Sequence, residues 1–117
     1  MNYRISNMIP VLLKLRSDDV YHIGEIPEKH HGVTEQNIIQ GIKDGGKFVV
    51  GEFTHTEDGS RWVMVVNKDL KSSALFQPLY NKEYASVQFL CMKTGKLKLL
   101  EPWYALAPGH GVLLRLE

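Results

Sequence analysis

The chain has 117 residues, 44% hydrophobic and 23% charged, which is enough for one domain with a core of its own. Its net charge is +1 with no basic run longer than two residues, so neither nucleic acid nor an acidic membrane surface is indicated as a partner. A single cysteine, Cys91, excludes an internal disulfide framework, and no apolar run reaches the roughly 18–20 residues that span a bilayer.

The N-terminus predicts a helix over residues 1–16. Apolar residues recur at helical spacing and form one stripe: Ile5, Met8, Ile9, Leu12 and Leu13. Pro10 should kink this helix or begin it. No small-residue cleavage site follows, so the segment does not read as a signal peptide. The stripe needs an apolar partner, either this domain's own sheet or a neighbouring domain.

Short elements and turns follow the helix. Residues 17–19 should end it, and residues 20–23 (VYHI) predict a strand. Residues 26–34 are polar and rich in turn formers, which favours a loop. Residues 37–43 form a second apolar patch, either a strand or a helical turn.

Residues 46–70 predict a β-hairpin around which the rest of the chain is organised. Two apolar runs, 48–53 and 62–66, flank a polar turn at 56–60. With Asp58-Gly59 at the tip, Phe53 would face Met64 and Gly51 would face Val66. Both faces are largely apolar, so these strands should be central and covered on two sides. One face would carry Val49, Phe53, Trp62, Met64 and Val66, and the other Phe48, Val50, Val63 and Val65.

The remaining residues predict further antiparallel strands separated by turns. Strands are expected at 73–79 with Pro78 near the end, at 84–92, from 97 to 99, at 103–106 and at 112–116. Turns are expected at 67–69, 93–96 and 108–111. The sequence therefore predicts one all-β domain over 1–117, an antiparallel β-sandwich of about seven or eight strands over 19–117 with one N-terminal helix.

Candidate catalytic and metal-binding residues have simpler structural explanations. His30 and His31 are adjacent, so in a strand they would point to opposite faces, and no cysteine or carboxylate stands at zinc-like spacing beside them. His22, His55 and His110 would form a metal site only if the fold brought them together. Cys91 lies on the apolar side of its predicted strand, which favours a buried, inert thiol. The acidic pairs 18–19 and 57–58 are expected to be cap and turn residues rather than catalytic acids.

Aromatic residues provide a binding hypothesis. Aromatic faces pack well against the apolar C–H faces of sugars, and the candidate platform residues are Trp103, Tyr104, Tyr80 and Tyr84. Trp62 shares a face with Phe53 and Met64, so it is expected to belong to the core. The sequence predicts no cofactor and no metal.

Three segments resemble the C-terminal β-sandwich of multidomain bacterial glycoside hydrolases, which follows a (β/α)₈ catalytic barrel. They are VMVVNKDLKSSALF, MKTGKLKLL and LAPGHGVLLRLE. The N-terminal IPVLLKLRSDDVYHIGEIP is similar to the junction where the last barrel helix enters that sandwich. The resemblance covers nearly the whole chain, and its most specific elements are the VNK and PG-G motifs joined to that lead-in.

This resemblance implies an accessory role without catalysis. The family's catalytic carboxylates lie on the barrel and match no position here, so no catalytic residue carries over. The implied partner is a (β/α)₈ barrel in cis or lost, and the implied localisation of a parent enzyme is periplasmic or secreted. Met1 falls inside the expected barrel helix, so the chain is an excised domain, a truncated reading frame or a stand-alone relative. An unpartnered stripe would favour self-association.

Two alternatives remain open from the sequence. The chain could be a stand-alone carbohydrate-binding module that uses its surface aromatics. It could also be a small metal-dependent enzyme built on its histidines.

Overall fold

The computed structural model describes residues 14–24, 26–43, 45–91, 96–100 and 104–117. These residues form ten strands and no helix, so the prediction of an all-β fold is confirmed. The strands are β1 (Leu15–Ile23), β2 (Ile39–Ile42), β3 (Phe48–His55), β4 (Arg61–Asn67), β5 (Ala74–Leu75), β6 (Pro78–Tyr80), β7 (Val87–Leu90), β8 (Leu97–Leu99), β9 (Ala105–Leu106) and β10 (Gly111–Leu116).

Six of these strands form one antiparallel sheet in the order β1-β3-β4-β10-β7-β8. The other four form two small antiparallel sheets, β2-β6 and β5-β9. The last strand in sequence, β10, lies inside the large sheet, where it pairs with β4 on one side and β7 on the other.

The main core joins one face of the large sheet to the two small sheets. Alternate residues of β3 and β4 supply Phe48, Val50, Val63 and Val65, all fully buried. The small sheets add Ile39 and Ile42 from β2 and Leu106 from β9. The other buried members of this core are Tyr21, Ile38, Phe76, Val112, Leu114 and Leu116.

The predicted hairpin exists, but its register differs by two residues. Phe53 pairs with Trp62 and Gly51 with Met64, rather than with Met64 and Val66. The reason is the loop: the amide of His55 donates to the carbonyl of Ser60, at 2.9 Å, so the four residues between them, 56–59, form the turn, and its centre precedes Asp58-Gly59. A shift of two preserves the side-chain alternation, so the predicted face assignments are correct. Gly59 has the positive φ, +73°, that this turn uses.

The predicted N-terminal helix is wrong for the part of it that the structure describes. Residue 14 lies in a turn and β1 begins at Leu15, while residues 1–13 fall outside the described ranges. Residues 17–19, expected to end the helix, lie inside β1. They are polar because β1 is an edge strand, and a register shift between Ser17 and Asp19 interrupts its pairing with β3.

Other predicted strands are shorter or divided. Residues 73–79 form two strands in different small sheets, with buried Phe76 between them, and Pro78 begins β6 rather than ending a strand. The strand predicted at 84–92 is limited to β7, and that at 103–106 to β9, with residues 92 and 103 outside the described ranges. The patch at 37–43 contains a strand, β2, and residues 26–34 form a loop with a turn at residues 28–29 and no strand or helix.

Candidate functional site

A buried carboxylate stands inside the main core. Glu52 is 3% exposed, and its side chain lies on the same face of β3 as Phe48 and Val50. Its Oε2 accepts the backbone N–H of Ile38 at 2.6 Å, and its Oε1 lies 3.6 Å from Nη2 of Arg61. The carboxylate therefore joins the large sheet to the residue that precedes β2.

Tyr21 completes this buried polar group. The Tyr21 hydroxyl accepts the N–H of Ile39 at 3.0 Å and is hydrogen-bonded to Glu52. Burial, and next the bond to Glu52, raise the pKa of Tyr21 well above its ordinary value, so it stays protonated and donates. The backbone N–H groups of Ile38 and Ile39, at the start of β2, are thus each hydrogen-bonded to a side chain of the large sheet, from β3 and β1 respectively. The group is enclosed, which fits a structural role rather than contact with a substrate.

Sequence reasoning missed Glu52 and Tyr21. The signal for Glu52 was a charged residue two positions after Phe48 and Val50, at a site where the alternation requires an apolar side chain. Tyr21 gave no comparable signal, because its partners lie 18 and 31 positions away.

A second polar cluster lies at the far end of β1. Nζ of Lys68 donates to Nδ1 of buried His22 at 2.9 Å, so Nε2 of His22 carries the proton and faces Nδ1 of His30 at 3.4 Å. Burial, followed by the charge of Lys68, lowers the pKa of His22 and keeps it neutral. The cluster joins the loop at 26–34 and the segment after β4 to β1.

His31 points away from His22, toward Asp19. Nε2 of His31 lies 2.9 Å from Oδ1 of Asp19, and Nδ2 of Asn37 donates to Oδ2 of Asp19 at 2.8 Å. The bond to Asp19 raises the pKa of His31. Burial alone would raise the pKa of Asp19, but the bonds from Asn37 and His31 outweigh it and lower that pKa. Asp19 therefore anchors a loop instead of capping a helix.

The histidines considered as metal ligands are not gathered at one point. His22 pairs with Val49 and His55 with Leu15, so they stand at opposite ends of the β1–β3 pair, about 20 Å or more apart. Among the residues that the structure describes, no group of three or more His, Cys, Asp or Glu side chains could hold a metal ion.

Tyr80 and Tyr84 contact each other rather than forming a flat platform. Their rings meet edge to face at 5.8 Å between centroids, and both pack against the main core. Burial raises the pKa of Tyr80 to about 12. The Tyr84 hydroxyl donates to Oδ1 of Asn81 at 2.9 Å, and Nζ of Lys82 lies 5.2 Å from the Tyr84 ring centroid.

Tyr104 lines a cleft of about 270 Å³ at one end of β10. Its ring packs on Phe89 at 4.9 Å between centroids, and His110 and Cys91 line the same cleft. Cys91 is half-buried rather than fully buried as predicted. Trp103 lies outside the described residues.

The other candidates have structural roles. Trp62 is 5% exposed, as expected of a core residue, and its Nε1 donates to Oγ of Ser60 at 2.8 Å. Glu57 and Asp58 lie exposed in the hairpin loop, where they were expected as turn residues.

A larger cleft, of about 590 Å³, is lined by three lysines. Lys47, Lys68 and Lys71 surround it together with Asp69 and Leu70. Hydrogen bonds from the backbone N–H groups of residues 71 and 72 lower the pKa of Asp69, so its carboxylate is held by its own turn. The net charge of these side chains is positive.

Comparisons with known proteins give no match: no family model, no curated protein and no solved structure is significantly similar to this chain. The described residues contain no helix of the length and apolarity needed to cross a membrane.

Proposed function

We propose that the chain is a non-catalytic accessory domain of a carbohydrate-active enzyme, a β-sandwich of the kind that follows a (β/α)₈ barrel in bacterial glycoside hydrolases. Its role would be to brace that barrel. The two layers of the sandwich would be the large sheet and the pair of small sheets on its main-core face.

The observation that carries this proposal is the position of the resembling segments. The VMVVN segment lies on β4, β10 begins at Gly111 of the PG-G motif, and Leu97–Leu99 of MKTGKLKLL form β8. These strands are neighbours in the order β4-β10-β7-β8. The three segments thus supply β4, β10 and β8, which lie on the same side of the sheet with only β7 between β10 and β8, and this supports treating their resemblance as one fold rather than unrelated turn motifs.

The buried polar groups also favour bracing over catalysis. Glu52 is the most buried acid described, and its acceptor atoms are engaged by Ile38, Tyr21 and Arg61. A general acid or base must instead reach a substrate proton within about 3 Å. A core held together by such internal polar contacts suits a scaffold.

An immunoblot of source cells with an antibody against this domain tests the accessory role. We expect a band several-fold heavier than 13.3 kDa, and the immunopurified protein should hydrolyse glycosides while the pure 117-residue chain does not. Hydrolysis by the pure chain would overturn the proposal, as would a band at 13.3 kDa with no larger species.

Carbohydrate binding is the second candidate, favoured by Tyr104 in its cleft. A concave site that combines an aromatic ring with polar side chains is the usual form of a sugar-binding site. Polysaccharide titration should then shift the tryptophan fluorescence, and Trp103→Ala should abolish the shift while the control Trp62→Phe retains it. A shift unaffected by Trp103→Ala and by Tyr104→Ala would exclude this surface.

A further inference from the structure

The cleft lined by Lys47, Lys68 and Lys71, which we call the lysine cleft, lies at the open end of the β3–β4 hairpin. The amide of Lys68 donates to the carbonyl of Lys47 at 2.8 Å, one position beyond the pairing of Phe48 with Asn67. Lys47 and Lys68 are therefore directly opposite each other, and both line the same cleft. The hairpin thus places two lysine side chains next to each other.

Positive charge is concentrated in this cleft. Like charges directly opposite each other on two strands repel. Asp69 is the one acid among the described residues that line the cleft, and its Oδ1 accepts the N–H groups of Lys71 at 2.8 Å and Ser72 at 3.1 Å. The described lining therefore has a net charge of +2, from three lysines and one aspartate, on a chain whose total is +1. A concave surface with this charge attracts an anion.

Contacts behind the cleft fix the positions of two of its lysines. Nζ of Lys68 donates to Nδ1 of His22 at 2.9 Å, and His22 is only 7% exposed. Gly24 and Gly46 approach so closely that a Cβ on Gly24 would lie 2.3 Å from the carbonyl oxygen of Gly46, which holds the residue before Lys47 against the end of β1. Groups that are already positioned lose less conformational entropy when a ligand binds.

The third lysine lies in a turn that a buried side chain anchors. Asn67 is 0% exposed, and its Nδ2 donates to the carbonyls of Ser72 and Leu106, both at 3.1 Å. The turn projects Lys71 and Leu70 outward, and Leu70 is 80% exposed. The rim of the cleft therefore combines a positive charge with an apolar side chain.

The size and the other lining residues suit a small organic molecule. The volume of about 590 Å³ is within the usual range of small-molecule sites. A neighbouring cleft of about 250 Å³ shares Lys47, Asp69 and Ser72 with it and adds Ser73. Serine hydroxyls can donate to and accept from the hydroxyl groups of a ligand. The lining thus fits a molecule that carries a negative charge, hydroxyl groups and an apolar face.

We propose that the lysine cleft binds a small organic oxyanion, with the anionic group between Lys47, Lys68 and Lys71 and an apolar face of the molecule against Leu70. A sugar acid belongs to this class, because it combines a carboxylate, hydroxyl groups and an apolar C–H face. The inference does not depend on the proposed accessory role, since it rests on the lysines and on the contacts that position them. Only the choice of a sugar acid as the probe follows from that role.

Titration of the ¹⁵N-labelled chain with D-glucuronate and with D-glucose tests this proposal through the chemical shifts of backbone amides. The two sugars differ at C6, which is a carboxylate in the first and a hydroxymethyl group in the second. We expect glucuronate to shift the amides of Lys47, Lys68 and Lys71 to saturation, with a Kd that rises with salt concentration, and glucose to leave them in place. Equal shifts with both sugars, or no glucuronate shift at these amides, would overturn the proposal.

A pair of double variants tests whether the cleft itself attracts the anion. Lys47→Gln with Lys71→Gln removes two exposed charges from the cleft and should raise the Kd for glucuronate roughly threefold to tenfold. The matched control, Lys82→Gln with Lys98→Gln, removes the same charge from two exposed lysines that do not line the cleft and should leave the Kd unchanged. Equal weakening in both double variants would show that only the overall charge of the chain matters, and would overturn the proposal.

The last comparison separates an organic ligand from an inorganic ion. Leu70→Ala should weaken the binding of glucuronate and leave the binding of sulfate unchanged, because only the sugar has an apolar face to place against Leu70. Sulfate shifts at the cleft amides without glucuronate shifts would mean that the cleft binds inorganic ions alone, and would overturn the proposal. Glucuronate binding that Leu70→Ala does not weaken would overturn the contact with Leu70 and the orientation proposed for the ligand.

Discussion

Replacing Glu52 by alanine should be among the most destabilising single changes in this chain. The change leaves the N–H of Ile38 and the hydroxyl of Tyr21 without their acceptor, and both residues are at most 3% exposed. Each buried donor left unpaired costs about 1–3 kcal/mol. Part of this is offset because the carboxylate itself is costly to bury beside only one distant arginine.

The net loss should be about 2–4 kcal/mol, a large fraction of the roughly 5–15 kcal/mol that stabilises a domain. Urea unfolding followed by circular dichroism measures it as a lower midpoint with an unchanged slope. Glu52→Gln retains one carbonyl acceptor and should lose about half as much. The control Glu35→Ala removes an exposed loop carboxylate and should stay within about 0.5 kcal/mol of the parent. A Glu52→Ala protein as stable as this control would refute the assignment of Glu52 as the link between the sheets.

Three further changes test the other buried polar groups. The pKa of Tyr21 is raised, so above pH 10.0 the unfolded chain loses the hydroxyl proton while the folded chain keeps it. Stability should therefore fall as the pH rises above 10.0, and Tyr21→Phe should make this fall smaller. The pKa of His22 is lowered, so its contribution is full above 6.5 and lost as the pH falls below it; His22→Gln should make the urea midpoint less sensitive to acid. Asn67 is 0% exposed and donates to two backbone carbonyls at 3.1 Å, so Asn67→Ala should cost about 2–4 kcal/mol.

Each of these expectations has a result that contradicts it. If the stability of Tyr21→Phe still falls at alkaline pH as much as that of the parent, another group causes that fall. If His22→Gln loses as much stability in acid as the parent does, a group other than His22 causes that loss. His31, whose pKa is raised, is expected to have the opposite effect and to stabilise the fold as the pH falls. For Asn67, the control Asn81→Ala removes an exposed partner of Tyr84; equal losses in the two variants would contradict the role given to burial.

The large sheet could be predicted from alternation, and its edge could not. The faces of β3 and β4 follow from side-chain period alone, even though the loop shifted their register by two residues. At residues 14–19 the same reasoning failed, because an apolar stripe runs up to Leu13 and the polar residues after it resemble a helix end. What decides their conformation is pairing with β3, a contact between segments over 30 positions apart.

Among the candidate-site residues, too, some could be predicted from the sequence and others could not. Trp62 was expected in the core from its position on an alternating face, and it is buried there. The links from Glu52 to Ile38 and from Lys68 to His22 join segments 14 and 46 positions apart, and no local pattern encodes them. Resemblance gave the accessory role, and that role stays a proposal.

The position of β10 also has a consequence for biosynthesis. Because Gly111–Leu116 pairs with both β4 and β7, the strands made earlier form two unconnected groups, β1-β3-β4 and β7-β8, until these residues leave the ribosome. During that interval Val63 and Val65 on one side and Phe89 on the other lack the neighbours that later bury them. Folding of this domain therefore waits for its final strand, and ribosomes stalled just before residue 111 should hold chains that chaperones bind and proteases cleave.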